Sequence, residues 1–267
     1  MPKQNLRRYL RKIYVLIAVM GIDLVKIFRA ITGFGFYIND FFKIKSQKNS
    51  NKDFIFGFPL PILDEKFAEG GVMSGHYFHQ DLLIAQKVYK NNPHKHIDIG
   101  SRVDGFAAHV AVFREIEVFD VRPIKSKVKN IIFRQADLMN LDPKMINYCD
   151  SISSLHAIEH FGLGRYGDPI DYDGHKKALN NIYKILKKGG KFYFSTPIGK
   201  QRIEFNAHRV FDVKYLLNLF KNKYEIESFS YVNDEGGLFE NVKLNESDIR
   251  NNFGCYFGCG IFEMRKI

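Results

Sequence analysis

The sequence lacks tryptophan and has only three cysteines among its 267 residues. Cys149, Cys255 and Cys259 are too few, and odd in number, for a disulfide framework, so we expect a reducing compartment and a cytoplasmic protein. The spacing of Cys255 and Cys259 can bind zinc, but no second pair accompanies them. We therefore interpret the cysteines as structural.

Two phosphate-binding motifs are also missing from the positions where they would be diagnostic. No Gly-x-Gly-x-x-Gly directly follows the first predicted strand, residues 96–99, and the chain has no Gly-Lys-Ser/Thr loop, which argues against a nicotinamide or ATP site. Long apolar runs are absent as well, because the run over residues 13–22 ends at Asp23 and is too short to span a bilayer. Hydrophobic residues nevertheless make up 45% of the chain, enough for a substantial core.

Acidic residues are scarce only near the start of the chain. The formal net charge is +11, and residues 1–52 hold 11 Lys and Arg against Asp23 and Asp40, which accounts for nine of the excess charges. The remaining residues are nearly balanced, so we expect no nucleic-acid partner.

Apolar residues recur at helical spacing in this basic region and predict one amphipathic helix over residues 6–28. Two uses of this helix are open: it docks on the body of the protein, or it lies on an anionic membrane surface as a peripheral contact at the inner face of the membrane. Residues 43–53 are polar and predict a solvated loop. We expect three parts: a basic arm and linker over residues 1–52, a lead-in segment packing on the core over 53–95, and an α/β domain over 96–267.

Strand and helix patterns alternate regularly through the third part. This alternation predicts an α/β fold with a Rossmann-like, seven-stranded, mostly parallel sheet. The predicted strands are residues 96–99, 116–119, 131–134, 151–154, 191–195, 225–232 and 260–265. The predicted helices are residues 106–113, 175–186 and 213–220, the second stopped by Lys187, Lys188, Gly189 and Gly190.

Acidic residues stand at the carboxyl ends of the first three predicted strands, where ligands of such sheets bind. Asp98 precedes Gly100, and glycine lets the backbone approach a ligand closely. Asp120 follows Gly100 by 20 residues, a distance at which an acid commonly accepts hydrogen bonds from ribose hydroxyls. Asp137 follows the third strand and is suited to an exocyclic amine. Together the three acids predict a site for a nucleoside-containing ligand.

On these residues the chain resembles the class I S-adenosylmethionine-dependent methyltransferases over about residues 80–267. The resemblance implies S-adenosylmethionine as cofactor, with Asp98 and Gly100 at its methionine part, Asp120 at its ribose and Asp137 at its adenine. Gly105 and Leu138 complete the implied cofactor-binding set. The sequence departs from the family where Ser101, Arg102 and Val103 replace the usual extra glycines.

Three further strings resemble a methyltransferase-like family of unknown function over nearly the whole chain. They are residues 75–81 (GHYFHQD), 156–168 (HAIEHFGLGRYGD) and 205–211 (FNAHRVF). Members of that family are associated with surface-polysaccharide biosynthesis, which implies a sugar or glycan acceptor.

Methyl transfer to a hydroxyl needs a group that removes the hydroxyl proton, and histidine suits that task near neutral pH. His156 and His160 follow the fourth strand with Glu159 between them, and His208 follows the fifth strand. We predict His160 as general base, then His156, with His208 close behind.

Two alternatives to this assignment stay open. His76, His79 and Asp81, together with the group after strand four, are residue types that bind a divalent metal. The altered loop at residues 101–103 favours a non-catalytic methyltransferase-like binding module in glycan assembly. The predicted function is an S-adenosylmethionine-dependent O-methyltransferase acting on a sugar or surface-polysaccharide precursor.

Overall fold

A computed structural model describes residues 13–47, 54–66 and 68–267. The chain divides into two compact units, Met1–Val72 and Met73–Ile267. The second unit therefore includes residues 73–95 of the segment that we set apart from the core. The three-part division of the chain otherwise stays a prediction.

The first unit contains two helical stretches where one helix was expected over residues 6–28. Residues 13–19 are helical and end in a turn at Gly21, whose φ of 85° is readily adopted only by glycine. A new helix, α1, begins at Leu24 and runs to Gln47 (Leu24–Gln47), and the Asp23 carboxylate accepts hydrogen bonds from the amides of Val25 and Lys26. The prediction of a single helix was wrong because Gly21 and this helix cap interrupt it. Residues 6–12 lie outside the described residues.

Helix α1 extends further than the sequence suggested. Residues 43–47, which we expected in a loop, form its last turn, and residues 48–53 lie outside the described residues. No residue of α1 is buried. In the part of the chain that the structure describes, no helix combines the length and the apolar character needed to cross a membrane.

The second unit is built on an eight-stranded sheet in the order β3-β2-β1-β4-β5-β10-β8-β9. Strands β1 to β5 are parallel neighbours, while β10 is antiparallel to both β5 and β8. The strands of this sheet are β1 (His96–Ile99), β2 (Ile116–Asp120), β3 (Ile131–Gln135), β4 (Cys149–Leu155), β5 (Leu186–Ile198), β8 (Tyr224–Val232), β9 (Leu238–Phe239) and β10 (Gly258–Lys266). A separate hairpin consists of β6 (Arg202–Glu204) and β7 (His208–Val210).

Helices cover both faces of this sheet, as its parallel strands require. They are α2 (His76–Asn91), α3 (Ala108–Ala111), α4 (Gly174–Ile185), α5 (Val213–Phe220) and α6 (Glu246–Arg250). Ile84 and Val88 of α2 and Val110 of α3 pack in one apolar cluster, whereas Ile182 of α4 and Leu216 of α5 pack in a second cluster. The two clusters form the core on either side of the sheet.

The predicted fold class is confirmed, while several local features differ from the prediction. An eighth strand, the two-residue β9, pairs with β8 at the sheet edge. The predicted helix stop at residues 187–190 is the beginning of β5. The helix after β1 starts as a π-helical turn, Val103–Ala107, before α3. Such short features carry too few residues to produce a periodic pattern.

Candidate functional site

A cleft opens at the carboxyl ends of β1 to β4, where the sequence placed the ligand site. The predicted residues that line it are Gly100, Asp120, Asp137, Leu138, His156 and His160. The other lining residues are Tyr77, Arg102, Phe119, Val121, Arg122, Ala136, Ala157, Phe161, Tyr166 and Asp168.

Asp98 does not line the cleft but organises the turn beside it. Its buried carboxylate accepts hydrogen bonds from the Ser101 amide (3.0 Å), the Ser101 hydroxyl (2.6 Å) and the Ser153 hydroxyl (2.5 Å). The Ser101 oxygen in turn accepts from the Leu155 amide at 3.0 Å. Burial raises the pKa of Asp98 to about 6. Ser101 therefore ties the turn after β1 to β4.

The two glycines of this turn allow close packing at different places. Gly100 has φ 70°, and a Cβ added to it would come within 3.0 Å of the Ala157 Cβ. Gly105 does not line the cleft, because it faces helix α2, where a Cβ would meet the Asp81 carboxylate at 2.4 Å. Gly100 thus keeps the cleft open, and Gly105 lets the turn approach α2.

Asp120 lines the cleft with its carboxylate already engaged. Both oxygens accept hydrogen bonds from the Arg122 guanidinium, at 3.0 and 2.7 Å, and the Arg122 amide donates at 2.8 Å. The Tyr166 ring stacks on that guanidinium, 4.1 Å from the ring centre. The acid expected at a ribose is therefore paired with a cation of the same chain.

Asp137 and Leu138 form the wall after β3. The Asp137 oxygens accept from the Met139 amide (2.9 Å) and the Asn140 side chain (2.7 Å), which fixes the turn. Each oxygen retains capacity for another donor. Leu138 is buried and packs into the core.

The segment after β4 brings both predicted histidines to Glu159. His156 Nδ1 lies 2.6 Å and His160 Nε2 lies 3.8 Å from the same carboxylate oxygen. Burial alone would raise the pKa of Glu159, but His156 beside it lowers that pKa. Burial opposes the charged form of His156, yet the thiol of Cys259 and the carboxylate of Glu159 raise the pKa of His156 well above its usual value.

His160 is oriented by its other nitrogen. Nδ1 donates to the Ala207 carbonyl at 2.7 Å, so Nε2 of the neutral ring is left as an acceptor. Burial lowers the pKa of His160, which favours this neutral form. Only Ile158–His160 forms a 3₁₀ turn and His156 precedes it, so the two imidazoles do not share the face of one helix.

His208 is the predicted base that lies outside the cleft lining. It begins β7, its ring centre is 6.5 Å from that of His160, and its Nε2 is 3.2 Å from the Glu204 carboxylate. His208 therefore lies beside the cleft and does not face a ligand bound in it.

The predicted metal ligands of α2 do not assemble as a trio. Among the residues that the structure describes, the one group suited to hold a metal comprises His76, His156 and Cys259, without His79 or Asp81. Asp81 follows His76 by five positions on a helix, which turns it about 140° away. It is buried beside Gln80, and burial raises its pKa to about 6.

The sheet order and the cleft define a Rossmann-like fold of the class I methyltransferase type. Solved structures share this fold. One is the [4+2]-cyclase SpnF, which is 14% identical with a TM-score of 0.51, over 70% of this chain and 80% of that chain. Another is the 1,6-didemethyltoxoflavin-N1-methyltransferase of Burkholderia thailandensis with bound 1,6-didemethyltoxoflavin and S-adenosylhomocysteine (13% identity, TM-score 0.51, 70% and 78%).

The chain belongs to the family described as Caenorhabditis protein of unknown function, DUF268, which matches residues 108–253. A search of curated proteins found no match. The family match begins after the turn that follows β1 and includes the strand ends that carry Asp120, Asp137 and the histidines.

Proposed function

We propose that this protein is an S-adenosylmethionine-dependent O-methyltransferase that acts on a sugar or surface-polysaccharide precursor, with His160 as general base. The observation that carries the proposal is the convergence of Gly100, Asp120, Asp137 and His160 on one cleft at the carboxyl ends of the parallel strands. In such folds this edge is where nucleoside ligands bind.

The residues present fit this cofactor. The missing Cβ of Gly100 leaves room for close approach, Asp120 offers two oxygens to ribose hydroxyls, and Asp137 retains acceptor capacity for an amine. S-adenosylmethionine, when bound, supplies an electrophilic methyl group on a sulfonium. The ribose would replace the Arg122 guanidinium at Asp120.

His160 would remove the acceptor proton. Nε2 would accept the hydroxyl proton of the acceptor as that oxygen is methylated, and bound S-adenosylmethionine would supply the methyl group and leave as S-adenosylhomocysteine. The Ala207 carbonyl holds Nδ1 and stabilises the ring as it becomes charged.

A specific observation favours the alternative of a non-catalytic binding module. The Asp120 carboxylate is held by Arg122 and covered by Tyr166, so a ligand at the ribose position must first displace this pair. Titration calorimetry of the full chain with S-adenosylhomocysteine distinguishes the methyltransferase from the non-catalytic module. Saturable binding supports the methyltransferase, and absence of binding at millimolar concentration supports the module.

The base is tested with His160→Asn, whose amide can keep the hydrogen bond to Ala207 while Nε2 is lost. Methyl transfer from labelled S-adenosylmethionine to a panel of nucleotide sugars should fall by about 100-fold or more, with unchanged S-adenosylhomocysteine binding. His109→Asn is the matched control, because His109 is exposed and also contacts a backbone carbonyl, that of Gly105, at 2.7 Å. Normal turnover in His160→Asn would remove this residue from the mechanism.

We also propose peripheral contact with an anionic membrane surface. Support comes from an apolar stripe on α1, formed by the exposed side chains of Leu24, Phe28, Ile31, Ile38 and Phe42. The stripe has the spacing of one helix face, and the region around it carries most of the excess positive charge.

A further inference from the structure

Three ligand-type atoms from distant parts of the chain meet beside the cleft. They belong to His76 at the start of α2, His156 after β4 and Cys259 in β10, and all lie within 4.8 Å of one another. His76 Nδ1 is 3.1 Å from His156 Nε2. In a tetrahedral zinc site, metal–ligand bonds of about 2.0–2.3 Å place the ligand atoms about 3.3–3.6 Å apart. The three atoms are therefore close to the spacing that one ion requires.

The hydrogen bonds of His156 leave the correct nitrogen for a ligand. Its Nδ1 is 2.6 Å from the buried Glu159 carboxylate, so Nδ1 carries a proton, and a metal ion that displaces the proton on Nε2 would find the Nε2 lone pair facing the group. A carboxylate on the outer nitrogen is the usual partner of a metal-bound histidine, because it fixes the tautomer and raises the basicity of the ligand.

His76 Nδ1 and His156 Nε2 face each other, so either a proton or a metal ion lies between them. The backbone of Phe257 hydrogen-bonds to the His76 ring, while its Nδ1 points at the lone pair of His156 Nε2. A single proton between these two nitrogens would leave the Cys259 thiol with a hydrogen bond to His156 and longer contacts to Gln80 (3.6 Å) and the Gly260 carbonyl (3.9 Å). A metal ion satisfies all three atoms at once.

Backbone and packing hold the group in place. His156 has φ 50°, a left-handed conformation that costs energy for a residue with a Cβ and often marks a functional position. Its amide donates to the Ser195 carbonyl at 3.0 Å. Gln80, next to Cys259, is fixed by the Ser195 hydroxyl at 2.6 Å. Helix α2 and strands β4, β5 and β10 thus all contribute to one rigid site.

We propose that His76, His156 and Cys259 bind one Zn²⁺ ion, with Glu159 as the outer carboxylate on His156. One thiolate and one carboxylate balance the charge of a divalent ion in this buried setting, and zinc accepts mixed nitrogen and sulfur ligands. Three protein ligands leave a fourth position for water or an acceptor hydroxyl. Because His156 also lines the cleft, the ion would sit at its edge.

This assignment uses none of the proposed cofactor-binding residues, so it stands or fails separately from methyl transfer. It gives His156 and Glu159 a metal-holding role and leaves His160 as the base. It also gives a role to Cys259, which the sequence placed beside Cys255 as a structural residue.

The experiment measures zinc and cobalt binding to the full-length protein. Zinc content after purification without chelators should approach one ion per chain. After chelator treatment, added Co²⁺ should give the tetrahedral visible bands and a near-ultraviolet thiolate-to-cobalt charge-transfer band. Cys259→Ser should lose the charge-transfer band, whereas Cys255→Ser, a change at the other buried cysteine of this segment, should keep it.

A second variant guards against misfolding of the first. His76 is only half-buried at the start of a helix, and His76→Ala should weaken zinc binding at least about tenfold while circular dichroism stays unchanged. Two results would contradict the zinc site: clearly less than one zinc ion per chain with no cobalt–thiolate band, or a band that persists in Cys259→Ser. Either result would mean that His76 and His156 are joined by a proton and not by a metal ion. Calorimetry with S-adenosylhomocysteine on the same samples reports separately on the proposed cofactor.

Discussion

At the residue scale, the fully buried imidazole of His96 is held neutral by two serines. The Ser153 hydroxyl gives its one proton to Asp98, so it accepts from His96 Nε2–H at 3.2 Å, and His96 Nδ1 then accepts from the Ser151 hydroxyl at 2.7 Å. Burial lowers the pKa of His96 to about 3. Protonation would remove the acceptor that Ser151 uses.

This neutral histidine predicts a specific loss of stability in acid. In the unfolded chain His96 titrates near 6.5, so between pH 6.5 and 3 the unfolded state binds an extra proton and stability falls as pH falls. From pH 6.5 to 5 the loss is about 1.5 kcal/mol. Urea unfolding at both pH values measures the total for the native chain, to which His76 and His175, whose pKa values burial lowers to about 4, add in the same direction.

The His96→Gln variant isolates this contribution. Asp81 and Asp98 have raised pKa values and act in the opposite direction, since their stabilisation is lost as pH rises, but they remain in both proteins. The variant should show a smaller acid loss by about 1.5 kcal/mol over the same interval. If the free energy of unfolding fell equally in the native chain and in His96→Gln between pH 6.5 and 5, His96 would have to be charged in the folded protein.

A second residue-scale prediction concerns Asp120 and Arg122. If ribose hydroxyls must displace Arg122, then Arg122→Ala should tighten S-adenosylhomocysteine binding, by up to about fivefold for a half-exposed ion pair. Asp120→Asn should weaken binding by about tenfold or more, since the charged acceptor is lost. Calorimetry at one salt concentration measures both.

Glu115→Gln is the control for these variants, because Glu115 is exposed and precedes the opposite end of β2. Weaker binding in Arg122→Ala would show that the guanidinium contacts the ligand and does not compete with it.

At the element scale, the turn after β1 depends on Ser101. Replacing Ser101 by alanine removes a donor to Asp98 and the acceptor of the buried Leu155 amide. Leaving such groups unsatisfied costs about 1–3 kcal/mol, so Ser101→Ala should lower the free energy of unfolding by that amount. Ser247→Ala, which removes an exposed serine contact to Asn245, should change it by less than about 0.5 kcal/mol. If Ser101→Ala and Ser247→Ala lowered the free energy of urea unfolding equally, Ser101 would not stabilise the turn after β1 specifically.

Elements with strong periodicity were predictable from the sequence. The segments 96–99 and 116–119 are rich in the β-branched residues typical of strands, and both are central strands buried from end to end. The basic residues and glycines at 187–190 misled the prediction, because the chain enters β5 directly from α4.

Contacts between distant loops were not predictable. Asp120 was found from its position after a strand, whereas its partner Arg122 and the Tyr166 ring over it depend on how two loops fold together. Cys259 is 103 positions beyond His156, and no spacing rule joins them. His79 and Asp81 were chosen from residue type alone, and helix geometry separates Asp81 from His76.

At the scale of the whole molecule, the uneven charge bears on location. Residues 53–267 include the cleft and are nearly charge-balanced, while the first 52 residues supply nine of the eleven excess charges. On α1, the exposed apolar stripe has Lys26 and Arg29 close to Phe28 and Ile31 along the helix. Apolar burial and attraction to anionic headgroups would then act together.

The apolar stripe therefore predicts binding of the full chain to vesicles that contain phosphatidylserine, with less binding to phosphatidylcholine alone. Phe28→Asp combined with Ile31→Asp should weaken co-sedimentation at least about tenfold, because two large apolar contacts are lost and two negative charges are added. Val112→Asp with Ile146→Asp is the charge-matched control, at exposed apolar positions of the second unit. Since both variants change the net charge equally, a loss confined to the first pair assigns binding to the stripe. Equal loss in both would reduce the effect to net charge, and no loss in either would leave α1 as a solvated helix.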